Sequence, residues 1–190
     1  MQLEFVPYPL LVGLTILFLL LPVRWHMKRS RFDLFCFTLF GLYLLVVIDL
    51  LLFPIPTSES RHFQTPTLDI LACINWVPLN FGGLFDMPPI YAVYELGGNI
   101  LLTVPFGFSL PFLFRIKPSY FPLLAVLVGL STELMQLIVS LIIGGNYRSV
   151  DINDALLNAI GVLIGCGLFK GVVRVFSLLF RYYRTMLSEL

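Results

Sequence analysis

Glu133, Asp151 and Asp154 are the carboxylates whose positions could support chemistry in a chain that is otherwise strongly apolar. Arg148, Asp151, Asp154 and Asn158 fall within RSVDINDALLNAIG (148–161), a polar segment that runs straight into an apolar one. Glu133 and Gln136 stand three apart in STELMQL, and Glu95 and Asn99 stand four apart in ELGGN. Residues at those spacings are neighbours on one face of a helix, so each pair makes a narrow polar stripe. Such carboxylates and amides suit three tasks: hydrogen bonding to a polar ligand, holding a hard divalent cation through oxygen, or general-base work.

The elements that must carry these stripes are membrane helices. Hydrophobic residues make up 58% of the 190-residue chain and charged residues 12%, about half the charge of an ordinary soluble domain. Mean hydropathy is +0.94. The expected fold is all-α, a polytopic membrane helix bundle forming a single domain over 1–190. About 20 apolar residues cross a bilayer, and five runs qualify: Phe5–Val23, Leu34–Phe53, Tyr91–Phe114, Ser119–Ile143 and Asp154–Phe176. They show no period-2 alternation, which argues against strands. The segment Pro54–Pro89 is long, and its Ile70–Leu79 stretch is too short to span. It reads as interfacial or re-entrant, with Trp76 at headgroup level.

Basic residues set the orientation. Arg24, Lys28, Arg29 and Arg31 follow the first run, Arg115 and Lys117 the third, and Lys170, Arg174, Arg181 and Arg184 the last. With those groups inside, ten of the twelve Lys and Arg face the cytoplasm and only Arg61 and Arg148 lie outside. The N-terminus is then out and the C-terminus in. Charge after the first apolar run, not before it, marks a retained anchor rather than a cleaved signal. The net charge of +1 offers no field for nucleic acid. Cys36, Cys73 and Cys166 are too few and too scattered for a disulfide framework or a zinc site. His62 has no partner motif and reads as an ordinary loop residue.

This orientation puts Glu95 and Asn99, Glu133 and Gln136, and Asp154 and Asn158 at or outside the midplane, with Asp49 near the outer end of the second run. An ionisable group at a helix centre costs roughly 2.5–3.5 kcal/mol on insertion scales. The favourable arrangement is therefore a polar pocket between the third, fourth and fifth runs, open to the outside. Asp49, Glu95, Glu133, Asp151 and Asp154 have one nearby base, Arg148. Either some of these acids are protonated or a cation completes the site, with Asp151, Asp154 and Glu133 as its candidate ligands.

Simpler readings stand beside these. Asp151 or Asp154 could cap the last helix, and Arg148 with Asp151 could be a surface ion pair. Asn99, Gln136 and Asn158 could join helices by hydrogen bonds. Asp49 and Glu95 could reach water from near their helix ends. GVLIG (161–165) and GLFKG (167–171) match the small-xxx-small pattern of close helix contact, within the chain or in a homo-oligomer. Pro105 and Pro111 predict a kink in the third helix.

Taken together, GNILLTVPFGFSLP (98–111), STELMQL (131–137), RSVDINDALLNAIGVLIG (148–165) and, less strongly, NWVPLN (75–80) resemble the VanZ-like family. The resemblance covers about residues 75–165, in the family's order. Its pattern falls on Asn99, Pro105, Gly107, Glu133, Gln136, Arg148, Asp151, Asp154, Asn158 and Gly161. Glu95 and Asp49 are outside it. Thr103–Val104 departs from the Phe-containing run more usual before the proline. The family is named for a membrane protein linked to resistance to teicoplanin, a glycopeptide antibiotic. The resemblance implies a multi-pass protein of a bacterial plasma membrane, acting at its outer face.

Four functions follow as expectations. In the first, the pocket binds or modifies an envelope component: membrane lipid, a lipid-linked cell-wall precursor or a lipoglycopeptide. In the second, Glu133 is the general base of a hydrolase or transferase acting on a lipid-linked phosphate, Asp151 and Asp154 hold a divalent cation, and Arg148 steadies the phosphate. No G-x-S-x-G, H-E-x-x-H or Cys–His pair supplies a nucleophile. A transporter needs a polar path continuing inward, which FSLPFLF and VLIGCGLF do not provide. A scaffold would use the polar residues only to lock the bundle.

Overall fold

The computed structural model describes residues 8–26, 30–52, 67–114, 116–144 and 149–188. Arg61, His62, Arg115, Lys28, Arg29 and Arg148 lie outside the described residues, as does the start expected at Phe5 for the first helix.

The chain is all-α. α1 (Tyr8–His26) and α2 (Arg31–Leu52) form a hairpin, followed by the short α3 (Thr67–Ala72). α4 (Pro89–Phe114), α5 (Phe121–Ile143) and α6 (Ile152–Ser188) complete the bundle, with single 3-10 turns at Leu84–Asp86 and Pro118–Tyr120. Four stretches are long and apolar enough to cross a membrane: Arg31–Leu50, Pro89–Phe114, Pro118–Ile143 and Ile152–Tyr182. The fifth expected span is present as the shorter apolar helix Gly13–His26 among the described residues. The stretch read as interfacial is α3 followed by an irregular turn in which Trp76 is exposed.

α4, α5 and α6 form the heart of the molecule because glycines let their backbones touch. A Cβ on Gly107 would lie 2.0 Å from the Val162 carbonyl oxygen. One on Gly161 would lie 2.1 Å from Thr103 Oγ1 and 2.3 Å from the Ile100 carbonyl oxygen, and one on Gly165 2.1 Å from that of Val104. The first glycine motif is thus an intramolecular α4–α6 seam, as small-xxx-small packing requires. Gly129 plays the same part between α5 and α6, where a Cβ would meet the Ala155 carbonyl oxygen at 2.1 Å. Gly167 and Gly171 of the second motif face open space. Leu110, Phe121, Ala125, Ala159, Val162 and Cys166 fill the core beside the seam.

α4 continues as one helix through Pro105 and Pro111. The Tyr43 hydroxyl donates to the Leu102 carbonyl, beside the Leu101 carbonyl that Pro105 cannot satisfy. α5 stops at Gly144, whose left-handed φ of 72° lets its N–H reach the Ser140 carbonyl at 3.0 Å. α6 runs to Ser188, well beyond the expected end at Phe176. No proline or glycine follows Gly171 to break it.

Candidate functional site

The N-termini of α4 and α6 and the C-terminus of α5 share one end of the bundle, and the turn after α3 folds onto it. Asn75 and Asp151 form a parallel bridge. The Asn75 N–H donates to the Val150 carbonyl at 3.0 Å, and the Ile152 N–H donates to the Asn75 carbonyl at 3.0 Å. Two backbone bonds therefore fix the turn against the start of α6.

Asp151 stands at the centre of this end. Its Oδ1 accepts from the Asn153 N–H at 2.7 Å, and its carbonyl accepts from Asp154 and Ala155 N–H at 3.1 and 3.3 Å. It thus caps α6, as the simpler reading had it. Both its carboxylate oxygens also lie 3.0 Å from Asn75 Nδ2. Its own N–H donates to Glu133 Oε2 at 2.9 Å. Three segments, the turn, α5 and α6, therefore meet at one residue.

Asn153 is the residue that the sequence reading did not single out. It is almost fully buried. Its Oδ1 accepts from the Leu79 N–H at 2.6 Å and its Nδ2 donates to the Asn80 carbonyl at 2.8 Å. Leu79 has a φ of 63°, a conformation that costs a side chain of its size about 1–3 kcal/mol unless its surroundings hold it. Asn153 supplies that hold. A signal for it existed in the pairing of NWVPLN with RSVDIND, but single-chain spacing gives no contact across 73 residues.

A second layer lies deeper. Asn99 Nδ2 donates to Asp154 Oδ1 at 2.6 Å, linking α4 to α6. Thr103, one turn on from Asn99, donates to the Asn158 carbonyl at 2.7 Å. Asn158 Nδ2 donates to Thr132 Oγ1 at 3.0 Å, linking α6 to α5. Asn158 Oδ1 is buried and has no hydrogen-bond partner. Thr103 and Thr132 were not foreseen, because a hydroxyl in an apolar helix usually bonds its own turn. Gln136 lies buried on the same face of α5 as Glu133.

Asp154 lies within electrostatic reach of Asp151 and of Glu95, which is exposed on α4, and Glu133 within reach of Asp151 and Asp154. Among the described residues no Lys or Arg hydrogen-bonds any of these four acids. Asp49 is half-buried on α2, and no described hydrogen bond ties it to the cluster. Among the described residues no three His, Cys, Asp or Glu side chains come together as a metal site. The expected trio of Asp151, Asp154 and Glu133 does not close into one, since Asp151 is directed toward Asn75 and the α6 backbone while Asp154 faces Asn99.

Glu133 and Asp151 also border a half-open cavity of about 250 Å³ between α5, the turn and the start of α6. Ile74, Trp76, Leu130, Leu134, Leu137 and Ala155 make most of its wall. An apolar groove with carboxylate and amide groups at its edge can take an amphiphile, with a chain along the wall and a hydrogen-bonding head beside Glu133.

The family model described as VanZ/LLP1 matches residues 40–177. That span contains every hydrogen bond of the acidic end. No curated protein matches the chain, and no solved structure does.

Proposed function

The chain belongs to the VanZ/LLP1 family, and we propose that its acidic end binds or modifies a component of the bacterial cell envelope at the outer face of the plasma membrane. In this reading the end faces outward, because most Lys and Arg fall toward the opposite end of the apolar spans. The expected ligand is a lipid-linked cell-wall precursor or a lipoglycopeptide of the teicoplanin type, and the physiological result is reduced sensitivity to such antibiotics.

One observation carries the reading. Glu133, a buried carboxylate, meets Asp151 at the edge of an apolar groove, with Asp154 nearby. A bundle that needed only to hold its helices together would use amides and small residues for that purpose. Ionisable groups within a membrane mark a functional site by default. Glu133 presents an acceptor to a donor-bearing head group, while Ile74, Trp76 and Leu134 present a surface for its chain.

Glu133→Gln combined with Asp154→Asn removes two ionisable groups and retains both carbonyl acceptors. Cells producing this variant at wild-type membrane levels are expected to become as teicoplanin-sensitive as cells lacking the protein. Unchanged resistance together with unchanged ligand binding would refute the proposal.

A further inference from the structure

We infer that the C-terminal part of α6 binds the head groups of anionic phospholipids. α6 has 37 residues and is about 55 Å long at 1.5 Å per residue. Near its middle, Phe169 meets Phe108 edge to face at 5.6 Å between ring centres, and Lys170 Nζ lies 4.8 Å from the Phe121 ring centre. The rod continues for 18 residues beyond Lys170, and every residue from 171 to 182 is exposed.

That extension has a distinct pattern. Lys170, Arg174, Ser177, Arg181 and Arg184 are spaced four, three, four and three, so they form one polar stripe. Around the stripe the surface is large and apolar, including Val173, Phe176, Leu178 and Phe180. No acid occurs between Asp154 and Glu189. A helix with basic residues on one face and aromatic and aliphatic residues on the other seats at a membrane interface. Juxtamembrane basic residues are attracted by the negative surface potential of anionic lipid. The charge pattern disfavours a second copy packed on the same face, since two such stripes would repel. The apolar flanks disfavour water. An anionic leaflet satisfies both.

The full-length protein can be placed in vesicles of phosphatidylcholine containing a trace of spin-labelled phosphatidylglycerol or phosphatidylcholine. The anionic label is expected to associate preferentially with the wild-type protein, and the preference to fall as salt is raised. Arg174→Gln, Arg181→Gln and Arg184→Gln together are expected to lower the preference by about fivefold for each charge removed. The matching Arg→Lys triple keeps the charge and is expected to keep the preference. The inference is overturned if the wild type shows no preference, if its preference is insensitive to salt, or if the Gln triple matches the wild type. It is also overturned if a Ser177→Cys probe reports a close second copy equally well in neutral and anionic vesicles. If the Gln triple fails to insert, the salt titration on the wild type decides alone.

Discussion

The two ends of the bundle handle charge in opposite ways. At the basic end, Arg24 Nε donates to Asp33 Oδ2 at 2.9 Å and its Nη2 to Asp33 Oδ1 at 3.3 Å. The same Nη2 reaches the Leu113 carbonyl at 3.0 Å, and the guanidinium lies 4.4 Å from the Phe37 ring centre. One cation and one anion thereby join α1, α2 and the last turn of α4. At the acidic end, Asp151, Asp154 and Glu133 are met by amide side chains and backbone N–H groups, with no described cation. An anion that already has its cation is structural, whereas carboxylates held in place without one remain available to a ligand. Arg24 thus explains why Asp33 has no place in the site, whereas among the described residues Glu133 is met by the Asp151 N–H.

The comparison is tested most severely at the seam both ends share. Gly107→Val places a side chain into the Val162 backbone, so that one helix must shift against the other. It is expected to destabilise by about 3 kcal/mol, measured as thermal unfolding in one detergent, and to disable both ends together. Asp151→Ala removes the cap of α6 and the acceptors of Asn75, for an expected loss of about 2–3 kcal/mol. It should also free the 73–80 turn, seen as faster proteolysis there, while the Arg24–Asp33 pair stays formed. Arg24→Gln is expected to cost about 1–2 kcal/mol and to leave ligand binding at the acidic end unchanged. If it abolished binding instead, the two ends would not be separable. Arg174→Gln, on the exposed extension, should move stability by less than about 0.5 kcal/mol.

Much of this was legible from spacing. The apolar runs located α2, α4 and α5 to within a few residues, because helix length and hydropathy are local properties. Glu133, Asp154 and Asn158 were picked out as candidates by depth and helical spacing, and Gly161 and Gly165 by the small-xxx-small pattern. What spacing could not supply was pairing. Arg24 read as one of several basic residues that fix orientation, and only the α1–α2 hairpin brings Asp33 to it. Asn153 read as part of a polar run, although it holds Leu79 in its left-handed conformation. The expected wet hollow between α4, α5 and α6 is in part filled by the hydrogen bonds of Asn99, Thr103 and Asn158. The open space lies beside it, against α5 and the turn.

Asn75 and Glu133 come from different segments and both hydrogen-bond Asp151, Asn75 at the carboxylate and Glu133 at the N–H. A double-mutant cycle of Asn75→Ala and Glu133→Gln, read by unfolding free energy in one detergent, measures whether Asp151 unites them. Non-additivity of about 1 kcal/mol or more is expected for residues in one network. Strict additivity would mean that the acids and amides of the acidic end are separate contacts and not one site.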